Sequence, residues 1–222
     1  MKLSCFAVAT ILSGLFATIV NFPAKTLAQA RREPFPLVGG VTLGKLEYAS
    51  FATSPERQLE AAIRSAIKRD FPEWSLNNLS PVTYSYVKKD INGDGRADAF
   101  VYINNSIGSG SGGLHVGIFQ ANSSGYQLVG RFLHTWALVI NAKKTSGWNE
   151  ILVVPGRIDR YPDIFYSTCR FDPNRSVGSR NSDSLLGKYG DCREIQRNAV
   201  ISGILISGVN PVGGKPTFRL NP

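Results

Sequence analysis

The stretch TYSYVKKDINGDGRADAFVYIN, residues 83–104, sets two strand-like runs around a polar centre. Thr83 to Lys88 alternates, and Ala99 to Ile103 is a short run of apolar and aromatic residues, both suited to a half-buried pleated strand. Asn92-Gly93 and Asp94-Gly95 between them are strong hairpin-turn signals. The pattern continues downstream. Leu114 to Phe119, Tyr126 to Phe132, Ala137 to Asn141 and Ile151 to Val154 are short apolar runs, separated by Asn104 to Gly113, Asn122 to Gly125 and Ser146-Gly147. Asp163 to Arg170 and Ala199 to Ser207 read as later strands. Such regular short spacing predicts an antiparallel meander.

Upstream, the period changes. Ser54-Pro55-Glu56 starts a helix: serine caps, proline fits the first helical position, and glutamate suits the positive end. Leu59, Ile63, Ala66 and Ile67 recur at helical spacing, and Phe71-Pro72 ends the run after Arg69-Asp70. Residues 31–53 hold Pro34, Pro36, Gly39, Gly40 and Gly44 and read as an extended lead-in, with a short strand around Lys45 to Phe51. The expected fold class is therefore α+β, one N-terminal amphipathic helix packed on a mainly antiparallel β-meander, as a single domain over residues 54–222.

The polar centre carries the chemistry. In Asp90-Ile91-Asn92-Gly93-Asp94-Gly95-Arg96-Ala97-Asp98, side-chain oxygens stand at loop positions one, three, five and nine, with glycine at six. Calcium takes six to eight oxygens, with a backbone carbonyl at position seven. The expected ligands are Asp90, Asn92, Asp94, the carbonyl of Arg96, and Asp98. Val101 at position twelve departs from an EF-hand, which has glutamate there. The competing reading is a metal-free turn. Three aspartates and an asparagine in register favour the ion, because clustered carboxylates repel unless a cation sits among them.

The loop resembles the calcium loops of integrin-type FG-GAP and related β-repeats, which implies Asp90, Asn92, Asp94 and Asp98 as ligands. A second resemblance runs from Pro55 to Val154: helix, D-x-N-x-D-G before a strand, glycine-serine loop, strand ending Phe119-Gln120, then Tyr126 to Val129 and Ser146 to Val153. It is similar to small exported bacterial proteins of cyanobacterial type. Many of those have cysteines bracketing the glycine loop, which Gly108 to Gly113 lacks. This likeness implies a compartment and a fold, not an activity.

Export is also read from the N-terminus. Lys2 precedes an apolar run from Leu3 to Val20, and Ala28-Gln29-Ala30 offers a cleavage site, so residues 1–30 are expected to be a signal peptide. The 18-residue run is at the lower edge for a membrane anchor, the alternative reading. No later segment is apolar enough to span a bilayer, so the cleaved chain is expected not to cross a membrane. The formal charge is +9, and loss of Lys2 and Lys25 leaves +7, spread over small groups such as Lys88-Lys89 and Lys143-Lys144. Export argues against a nucleic-acid partner. Cys5 leaves with the leader, so Cys169 and Cys192 remain to pair in an oxidising compartment, a crosslink worth about 3 kcal/mol by loop entropy.

Other signals are weak. Gly108, Gly110 and Gly113 spell G-x-G-x-x-G, but a strand is predicted after them where a dinucleotide site needs a helix. His115 and His134 lack ligand spacing, and Trp74, Trp136 and Trp148 read as core anchors. The expectation is an exported non-enzymatic domain, calcium-stabilised, that binds a periplasmic or cell-envelope partner in the periplasm, thylakoid lumen or medium. The alternatives are a wall or polysaccharide hydrolase using Glu150, Asp159 or Asp163, and an inhibitor of a periplasmic enzyme.

Overall fold

The computed structural model describes residues 41–70, 82–104, 114–155, 167–175, 187–195, 198–208 and 215–220. All belong to the unit Glu33–Pro222. The expected leader, residues 31–40 of the lead-in, Trp74, the glycine loop, Asp159 and Asp163 lie outside them.

The residues 83–104 fold as read. β2 (Thr83–Lys89) and β3 (Asp98–Asn104) pair antiparallel from Lys89↔Asp98 to Thr83↔Asn104. β4 (Leu114–Asn122), β5 (Gly125–Thr145), β6 (Trp148–Pro155), β7 (Ser167–Arg170) and β8 (Asp191–Glu194) continue the meander, each antiparallel to the last. β10 (Phe218–Arg219) closes on the outer edge of β2. The helix α1 (Arg57–Asp70) begins just after Glu56, whose carbonyl accepts the Glu60 N–H.

Two features overturn the α+β expectation. Strands take 59% of the described residues and helical turns 13%, so the fold is β-rich. The helix is also not N-terminal: β1 (Thr42–Tyr48) precedes it and pairs parallel with β9 (Val200–Ser207). The physical reason lies in β5. Its sequence reads as two strands interrupted at Leu133 to Trp136, yet the backbone stays extended over 21 residues. Its first half pairs with β4, while its second half has β6 on one edge and β9 on the other. Register irregularities near Thr135 mark the change of partner, as bulges do where a strand bends. One long strand thus serves two sheets.

Period-2 alternation then buries both faces. Phe100, Tyr102, Val116 and Ile118 of one sheet meet Leu138, Ile140, Ile151 and Ile206 of the other in a shared core. Ala99, Val101 and Ile103 point the opposite way and receive Leu59, Ile63 and Ile67 of α1. Val139, Leu152, Ile201 and Leu205 form a third cluster on the far face of the second sheet. Gly203 lets β9 approach β5, because a Cβ there would collide with the Ile140 carbonyl oxygen. Leu59, Ile63 and Ile67 of α1 are buried, each worth about 1.5–3 kcal/mol, so the helix closes one sheet face.

Candidate functional site

The loop between β2 and β3 is built by its own side chains. Asp90, exposed, accepts the amides of Asn92 (3.2 Å) and Gly93 (2.6 Å) on one oxygen and of Gly95 (2.9 Å) on the other. These amides, Gly93 foremost, hold its carboxyl below the usual carboxylate range. Asn92 Oδ1 accepts the Asp94 amide at 3.0 Å, and Asp94 Oδ1 accepts the Arg96 amide at 2.8 Å. Asn92 Nδ2 donates to the other Asp94 oxygen at 3.1 Å. Gly93 and Gly95 both take φ of +81°, the left-handed region that glycine enters without a steric penalty.

Asp98 plays a different part. It is fully buried, and its oxygens accept the Ile91 amide at 3.2 Å and the Ala121 amide of β4 at 2.9 Å. Desolvation pushes its carboxyl up to about 6; the two amides oppose this, and the charges of Asp94 and Asp90 add to it. Each side-chain oxygen of Asp90, Asn92, Asp94 and Asp98 therefore accepts a hydrogen bond. Asp90 Oδ1 already accepts two amides, but Asp90 Oδ2, Asn92 Oδ1 and the Asp94 oxygens each accept one and keep a second acceptor site, so these oxygens and the Arg96 carbonyl could still take an ion from the solvent side. Among the described residues, no three His, Cys, Asp or Glu side chains gather as a metal set.

The loop is also anchored inward. Ile91 is fully buried in the inter-sheet core, and its carbonyl accepts the Asn149 amide at 2.8 Å. Beside it, Trp148 stacks on Phe171 at 4.0 Å and 8°, and Tyr189 meets both rings edge-on. The Tyr189 hydroxyl donates to the Asn149 carbonyl at 3.1 Å. The Lys144 ammonium, from the tip of the β5–β6 hairpin, lies 3.3 Å from where a Cβ on Gly93 would stand. Sequence reading missed this clamp. The available signal was Ile91 itself, the one large apolar residue among the loop's acids and glycines.

Cys169 and Cys192 are joined in a disulfide, as the sequence suggested, across directly paired positions of β7 and β8. Glu150, named for the alternative hydrolase reading, is buried. Its Oε1 accepts the Thr145 hydroxyl at 2.9 Å and lies 3.3 Å from Arg170 Nε and 3.5 Å from Lys143 Nζ. Trp148 is a core anchor, as read. Among the described residues, no helix is long and apolar enough to cross a membrane. No family model, curated protein or solved structure matches the chain.

Proposed function

We propose that this chain is an exported, non-enzymatic binding domain whose Asp90–Asp98 loop is set by a calcium ion. Asp90, Asn92, Asp94 and the Arg96 carbonyl hold the ion on the solvent side, and Asp98 anchors the loop to β4 from within. The observation carrying this reading is geometric: Asp90 and Asp94 stand exposed on one tight turn with Asn92 between them, above the buried Asp98. A divalent cation relieves the repulsion between their carboxylates. Export rests on the leader-like residues 1–30 and is in keeping with the disulfide, which persists in oxidising compartments. The partner is a periplasmic or cell-envelope component.

The test is thermal unfolding of the whole protein in calcium and in chelator. Saturation at a hundred times the dissociation constant adds about 2.7 kcal/mol, a rise of roughly 5–10 °C for a domain of this size. Asp94→Ala should melt alike in both conditions. Equal melting of the unaltered protein with calcium and with chelator removes the ion from the account.

A second reading, a loop complete without metal, is favoured by the Lys144 ammonium beside Gly93. There Lys144 supplies the counter-charge. The calcium titration separates the two, since this reading gives no shift. The hydrolase alternative gains nothing from Glu150, whose charge is met by Arg170 and Lys143.

A further inference from the structure

We infer that the Cys169–Cys192 disulfide is a redox-sensitive latch that holds the aromatic clamp over Ile91, and through it the β2–β3 loop. The two half-cystines differ. Cys169 is buried in the inter-sheet core with Ile91, Trp148, Phe171 and Tyr189, whereas Cys192 is only partly buried. Cys192 lies on β8, the terminal strand of the sheet path, which pairs only with β7 among the described residues. That pairing spans four residues a side, Ser167↔Glu194 to Arg170↔Asp191. A four-residue edge pair is a weak attachment without further support. The crosslink therefore adds a covalent tie to a short edge pairing.

What the latch holds is close by in the chain. Phe171 lies two residues after Cys169, and Tyr189 three residues before Cys192. The Asp172 amide donates to the Lys188 carbonyl at 2.7 Å, extending the pairing beyond the strands. From Tyr189 a chain of contacts runs inward: its hydroxyl to the Asn149 carbonyl, the Asn149 amide to the Ile91 carbonyl, the Ile91 amide to Asp98. Each link is a single hydrogen bond, so releasing Tyr189 loosens the next.

The chemical step is thiol–disulfide exchange with a dithiol reductant. Its thiolate attacks the sulfur of Cys192, the less buried of the two residues, the Cys169 sulfur leaves and takes a proton, and the second thiol of the reductant displaces Cys192. The reductant is oxidised to a cyclic disulfide, and two protein thiols result. β7 stays on β6 because, besides the register Ile151↔Cys169 to Val153↔Ser167, its Cys169 is buried in the inter-sheet core. The segment Gly187–Tyr189 then loses its covalent hold and stays over Trp148 through the ring contacts of Tyr189 and the Asp172–Lys188 hydrogen bond.

The experiment is amide hydrogen exchange on the full chain, in chelator, before and after dithiothreitol, with thiol titration to confirm reduction. In chelator the result does not depend on the cation reading. The expected result is about tenfold faster exchange at Asn149 and Ile91, unchanged exchange at Val101 and Val116, and recovery on reoxidation. Tyr189→Phe keeps the disulfide and should speed the Asn149 and Ile91 amides in the same direction, by less. Three outcomes overturn the latch: a disulfide that dithiothreitol does not reduce, unchanged Asn149 and Ile91 amides after reduction, or uniform acceleration through β3, which would make the bond a staple of the whole domain.

Discussion

Two hairpins at one end of the molecule bury a carboxylate each, and they settle its charge differently. On the β5–β6 hairpin, Glu150 faces a hydroxyl and two cations, Thr145, Lys143 and Arg170. On the β2–β3 hairpin, Asp98 takes two backbone amides and sits near two further acids, Asp90 and Asp94. A buried carboxylate matched by cations is locally neutral. One matched by amides keeps its negative charge, and burial raises its pKa. An added cation would therefore find its counter-charge unmet at the Asp90–Asp98 loop and already met at Glu150, if the proposed ion binds.

Breaking the amide-matched side should have the largest effect. Asp98→Ala leaves the Ile91 and Ala121 amides without an acceptor. Each orphaned buried amide costs about 1–3 kcal/mol, so a loss of roughly 2–5 kcal/mol is expected in urea unfolding. A loss below about 1 kcal/mol would mean that the loop, not Asp98, holds β3 to β4.

Titration sharpens the same contrast. In chelator, the folded Asp98 carboxyl titrates at about 6 against an ordinary 3.8. Between these values the folded chain binds more protons than the unfolded one, so stability falls as pH rises. The benefit is full below about pH 3.8 and gone above about pH 6. At about 1.4 kcal/mol per pH unit the span is at most about 3 kcal/mol. Asp90 has the opposite sign: its lowered pKa gives stability that is lost as pH falls below the ordinary carboxylate range. The measurement is unfolding free energy at several pH values from 4 to 7 for the unaltered chain and for Asp98→Asn. The variant should lose the downward slope, and two parallel profiles would exclude Asp98 as its source.

How much of this could be read in advance follows from the range of the interactions. The hairpin of residues 83–104, the helix after Ser54-Pro55-Glu56 and the pairing of Cys169 with Cys192 depend on local period, turn chemistry and cysteine number. All three are in the sequence. The continuity of β5 through Leu133 to Trp136 is not, because what keeps those residues extended is β4, β6 and β9 alongside. The parallel pairing of β1 with β9 joins residues about 160 positions apart and has no local mark. At the site, spacing marked the oxygens of Asp90, Asn92, Asp94 and Asp98 but not their directions. Asp98 turns inward because Ala121, a strand away, presents an amide to it. The clamp of Trp148, Phe171 and Tyr189 is likewise assembled from segments distant in sequence.

The smallest expected effect falls on the cation-matched side. Glu150→Gln keeps an oxygen for the Thr145 hydroxyl and removes only the charge. Removing one partner from a fully buried ion pair costs about 3–5 kcal/mol, but Lys143 is 61% and Arg170 35% exposed. Water can solvate both once the carboxylate is gone, so the loss should be nearer 1 kcal/mol. It should shrink further in 1 M salt, where screening acts over about 3 Å. The Asp98→Ala loss, made of orphaned amides and not of long-range charge, should hardly respond to salt. If Glu150→Gln proved the costlier change, or if salt erased the Asp98→Ala loss, the division between a cation-matched and an amide-matched carboxylate would fail. The Asp90–Asp98 loop would then carry no electrostatic distinction from the Glu150 cluster.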